Sequence, residues 1–143
     1  MTNQLTQTEV TQEVISYVNK YGLGNCKEYK EFHSKICSSS KHSIYYGLMG
    51  VFEEEVNSNK LRIQTFAGRL LKKINPKCPE SPEKAIFRLL TNWDISAEEV
   101  IGYLSNRFGR DRIVNIVAIM KTGDLTEHSK SVLTSIEFWV TGK

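Results

Sequence analysis

Proline is almost missing from this 143-residue chain, and its three copies, Pro76, Pro79 and Pro82, fall in one short stretch. The rest is free of the residue that most strongly interrupts a helix, since proline lacks a backbone donor and clashes with the preceding turn. Long apolar runs are missing too. No segment approaches the roughly 18–20 apolar residues that would span a bilayer, so no membrane association is expected. Cysteine is scarce and odd in number, with Cys26, Cys37 and Cys78. A secreted disulfide framework has an even and denser set. The opening MTNQLTQTEV is polar, without the basic-then-apolar profile of a secretory signal. These features lead us to expect a cytoplasmic protein with free thiols.

Reaction signatures are equally sparse. The chain holds no G-x-S-x-G, no P-loop and no G-x-G-x-x-G. Gly22-Leu23-Gly24 is too short to cradle a phosphate and reads better as the end of a helix. Glu53, Glu54 and Glu55 are consecutive, so on a helix they would fan over about 200° instead of converging as an acid–base pair. His128 has no evident partner. The sequence therefore predicts no catalytic residues, no cofactor and no enzymatic activity.

What is present is helical periodicity. Hydrophobic residues make up 40% of the chain and charged ones 24%, a balance that supports a packed core and argues against disorder. Val10, Val14, Tyr17, Val18 and Tyr21 share one face of a first helix, about 8–20, closed by Gly22. Tyr29, Phe32, His33 and Ile36 mark a second, starting near Asn25 and fading at Ser38-Ser39-Ser40. Tyr45, Met49, Phe52 and Val56 mark a third, with Ser43 as its cap; Gly47 and Gly50 would admit a close neighbour. A fourth spans Lys60 to Ile74. Ser81, Pro82 and Glu83 restart the chain as a fifth, which continues through Trp93. Ser96 and Glu99 form the pattern of a capping box for a sixth, with Ile95 stapled to Val100 and Gly109 at the end. Arg110 to Lys121 is so apolar that it is placed at the centre of the core. Gly123 ends it, and Asp124 with Glu127 suggests the cap of a last helix carrying Leu133, Ile136 and Val140. The expectation is an all-α fold of about seven to eight helices, as a compact bundle or a short stack of antiparallel helical hairpins. We read 1–143 as one domain, its halves joined by the proline-containing turn at 75–81.

Two polar features merit a functional reading. Cys26, His33 and Cys37 fall at i, i+7 and i+11, and His42 or Cys78 would complete a four-ligand zinc set. The close pairing of ligands usual in structural zinc sites is lacking, and buried thiols behave as small hydrophobes. No metal is expected there. The basic feature is stronger. From Lys60 to Lys77 there are six cations and no acid. Arg62, Arg69 and Lys73 align along the fourth helix, with Phe66 and Lys72 beside them, and Arg107, Arg110 and Arg112 surround the turn at Gly109. Such a face suits an acidic protein partner, as in an adaptor, inhibitor or neutralising protein. Nucleic acid is the alternative, because the same stripe can track phosphates; a zinc or thiol enzyme ranks last. The partner-binding residues predicted are Arg62, Phe66, Arg69, Lys72, Lys73, Arg107 and Arg110.

Overall fold

A computed structural model describes residues 4–23, 26–56 and 58–142. Among them run eight helices and no strand: α1 (Gln7–Tyr21), α2 (Lys27–Cys37), α3 (Lys41–Gly50), α4 (Lys60–Ile74), α5 (Pro82–Phe87), α6 (Glu99–Phe108), α7 (Arg110–Lys121) and α8 (Glu127–Thr141). All eight contribute to one buried hydrophobic cluster, from Val10 and Val14 in α1 through Ile63 and Leu71 in α4 to Leu133 and Ile136 in α8. No described helix is long and apolar enough to cross a membrane.

Glycines set the closest helix contacts. A side chain at Gly47 would press into Val10 and come within 2.8 Å of the Gln7 carbonyl oxygen, so the bare backbone lets α3 lie against α1. Thr11 uses that proximity to donate to the Gly47 carbonyl at 2.6 Å. Gly68 does the same on α4, where an added carbon would sit 2.7 Å from the Glu99 side chain. Contacts between α4 and α6 advance together. Gln64 bonds Asn92 and Asp94, Gly68 faces Glu99 and Val100, and Lys72 lies along Gly102. Arg107 then reaches the Asn75 carbonyl. The two helices therefore run in the same direction, interlocking the chain on both sides of the proline turn.

Local signals and tertiary packing disagree at several ends. The cap of α3 is Ser40, not Ser43, since the Ser40 hydroxyl accepts from the Ser43 N–H. That helix stops at Gly50 instead of reaching Val56. Val51 and Phe52 bond three residues back, a tightening that turns the chain off the helix. α5 likewise ends at Phe87 and does not continue through Trp93, with Leu89 and Leu90 closing tight turns. The Ser96–Glu99 box does not form. Trp93 is buried and donates to the Ala97 carbonyl. Gln64, itself buried, fixes the preceding residues, and the turn these contacts impose uses the Ser96 N–H to meet Asp94. Ile95 stays 47% exposed and staples nothing. α8 is capped by Thr126, not Asp124, and α1 carries an unanticipated box between Thr6 and Glu9. α7 buries Ile113, Ile116 and Val117 but leaves Ile119 71% exposed, so it lines the core without occupying its centre. The expected start of α2 near Asn25 lies outside the described residues.

Candidate functional site

The seven residues singled out from the sequence do not form one uniform patch. Arg62, Arg69, Lys72, Lys73, Arg107 and Arg110 are exposed, whereas Phe66 is 4% exposed. Phe66 belongs to an aromatic cluster with Tyr17, stacked at 5.3 Å, and with Tyr29 and Phe32. Its position, i+4 from Arg62 and i−3 from Arg69, is compatible with either face, and the cluster draws it inward. Phe66 is therefore a core residue whose edge reaches the surface only as the floor of a groove.

That groove, about 250 Å³, is lined by Leu23, Tyr29, Phe66, Leu70, Arg69 and Lys73. Among the described residues no carboxylate lines it. Lys73 is held over the Tyr29 ring at 5.0 Å and donates to its hydroxyl at 3.2 Å. Arg69 has a 3.7 Å ion pair with Glu99 of α6 and remains 55% exposed at its side chain. Such an exposed pair contributes little energy but leaves a defined cation at the rim. Glu99 is distant in sequence, which is why the acid-free stretch from Lys60 to Lys77 overstates the isolation of these charges.

The remaining cations are apportioned differently. Lys72 and Arg110 line a second recess, between α4, α6 and α8, together with Glu98 and Glu99. Arg110 donates to the Val140 carbonyl at 2.9 Å and Arg107 to the Asn75 carbonyl at 2.5 Å, satisfying carbonyls near the ends of α8 and α4. Arg112 lies over the Phe108 ring.

The three thiols take separate paths. Cys26 lies 3.3 Å from the Tyr17 hydroxyl, Cys78 is 3.3 Å from the Glu80 carbonyl, and Cys37 is exposed beside His33 at 3.6 Å. Burial, with the Lys73 charge adding to it, lowers the His33 imidazole below its ordinary value of 6.5. Among the described residues no three His, Cys, Asp or Glu side chains converge as a metal site.

One polar constellation escaped sequence reasoning. The Glu80 side chain, 4% exposed, accepts from Arg88 Nε at 2.7 Å and Arg88 Nη2 at 2.9 Å, and from the Tyr45 hydroxyl at 2.6 Å. Arg88 also reaches Glu53 at 2.9 Å and lies over the Tyr46 ring. Burial pushes the Glu80 carboxyl upward, but hydrogen bonds from Arg88 and Tyr45 and the guanidinium charge outweigh it, leaving the group below its ordinary value. Glu80 stands between two prolines in a segment that reads as a turn, so only the fold reveals its partners. The bidentate geometry is that of a staple between α3, the proline segment and the chain after α5. Compared with known protein families, with curated proteins and with solved structures, the chain matches none.

Proposed function

We propose that the protein is a non-enzymatic helical binding module, acting on an acidic protein partner through the groove between α2 and α4. One observation carries this reading. Arg69 and Lys73 stand over an apolar floor without a lining carboxylate among the described residues, and Lys73 is pre-positioned by the Tyr29 ring. A partner carboxylate meets cations there while an adjoining apolar side chain enters the groove, and ordering Lys73 beforehand lowers the entropic cost of docking. Arg62 and Lys72, exposed on the same helix, extend the positive field that steers an acidic surface. A cytoplasmic location fits an exposed free thiol at Cys37.

Nucleic-acid binding is the alternative, carried by the alignment of Arg62, Arg69 and Lys73 along α4. It ranks second because the Lys73 ammonium already covers the Tyr29 ring that would otherwise offer a stacking platform. Capture from cell extract, with and without nuclease, using wild type and Arg69→Glu/Lys73→Glu, separates the two. A protein partner retained through nuclease treatment and weakened about tenfold or more by the double reversal supports the proposal. Binding that disappears with nuclease, and that falls with salt along a slope of several phosphate contacts, favours the alternative.

A further inference from the structure

The recess between α4, α6 and α8 encloses about 500 Å³, within the range of small-molecule sites. Its polar groups are largely uncommitted. Lys72 has no ion-pair partner among the described residues, and its stem is positioned along Gly102, where an added carbon would meet it at 3.4–3.5 Å. Arg110 spends only Nε on the Val140 carbonyl, which leaves both terminal nitrogens. Glu99 is taken by Arg69, but the Glu98 carboxylate has no ion-pair partner among the described residues. The Asn106 amide lines the same space, exposed and unbonded among the described residues. Trp139 forms an apolar wall, 38% exposed and fixed by its indole N–H donating to the Ile95 carbonyl at 2.7 Å.

We propose that this recess binds a small zwitterion of the amino-acid type with an apolar side chain. Lys72 and Arg110 receive the carboxylate, Glu98 the ammonium, and the Trp139 ring the side chain. A simple anion would meet the Glu98 charge and leave the indole unused; a simple cation would meet two positive groups. Only a ligand bearing both charges pairs with both signs of lining group. This site does not depend on the partner proposed for the Arg69/Lys73 groove, although Glu99 joins the two through its pair with Arg69.

The test uses three compounds with the same ring: phenylalanine, hydrocinnamate, which lacks the amine, and phenethylamine, which lacks the carboxylate. The readout is the indole N–H resonances of the intact nitrogen-15-labelled protein. Trp93, 4% exposed and bonded within its own turn, serves as the internal reference. Phenylalanine should move the Trp139 signal saturably in the millimolar range and leave Trp93 in place. Each single-charge analogue should bind at least about tenfold more weakly. Lys72→Ala should abolish saturation, and Glu98→Gln, at an exposed position, should weaken it at least about tenfold, covering the case in which the first variant fails to fold. Absence of a saturable Trp139 shift overturns the proposal. So does equal binding of all three compounds, or unchanged affinity in folded Lys72→Ala.

Discussion

Glu80 is nearly enclosed in a short loop, and its carboxylate charge is tolerated only because Arg88 and Tyr45 converge on it. Removing it leaves Arg88, 27% exposed, with Glu53 as its remaining carboxylate, and deprives a phenol whose ring is buried of its acceptor. Glu80→Ala should therefore lower the unfolding free energy by about 1–3 kcal/mol, less than breaking a fully buried pair because Arg88 keeps Glu53 and partial solvent access. Glu80→Gln should lose less at neutral pH, because its amide oxygen can still accept from Arg88. The pH dependence has a definite sign. A carboxyl held below 4.5 in the folded chain stabilises it above that value, and the contribution is lost as pH falls through the lower, folded value. Urea midpoints of wild type and Glu80→Gln should consequently differ at neutrality and converge below pH 4.5. A gap that persists undiminished into strong acid would contradict the charge as its source.

Helices meet here through bare backbone at selected glycines, which gives substitutions opposite signs. Gly47→Ala gains helix propensity of about 1 kcal/mol. That gain cannot offset the collision with Val10 and the Gln7 carbonyl, so the variant should be destabilised by about 1–3 kcal/mol. Gly102→Ala meets only the flexible Lys72 stem and should be neutral or stabilised by up to about 1 kcal/mol. Thermal unfolding of the two variants checks the contrast. The same elements show what the sequence discloses. Periodicity locates all eight helices, because each buries a stripe and the stripe recurs at helical spacing. Glycine at Gly22 and Gly109 marks ends correctly, since each adopts a positive φ, 72° and 90°. Capping signals at Ser96 and Asp124 mislead because Trp93, Gln64 and Thr126 impose other bonds. The groove at Arg69 and Lys73 is half visible as a charge stripe, while Tyr29, which lines it, and Glu99, which pairs with Arg69, arrive from other helices.

At the scale of the molecule, one buried cluster crosses the proline turn, with α4 and α6 clasped at Gly68. Unfolding should therefore be a single transition. Trp93 fluorescence and far-ultraviolet circular dichroism should trace coincident denaturant curves, and two separated midpoints would show that the segments on either side of 75–81 unfold independently. The co-directional run of α4 and α6 has an electrostatic consequence. Peptide dipoles that point the same way place two partial negative poles side by side, at Asn75 and Gly109, where the start of α7 and nearby cations supply compensating positive charge. Lys72, Lys73, Lys77, Arg107, Arg110 and Arg112 are the residues that flank those poles in the chain, and Arg107 bonds directly across them. Part of the basic character of this surface thus serves the fold's own field. Neutralising Arg107 removes its bond to the Asn75 carbonyl, which joins α6 to the end of α4, whereas Arg62, at the opposite end of α4, makes no such bond among the described residues.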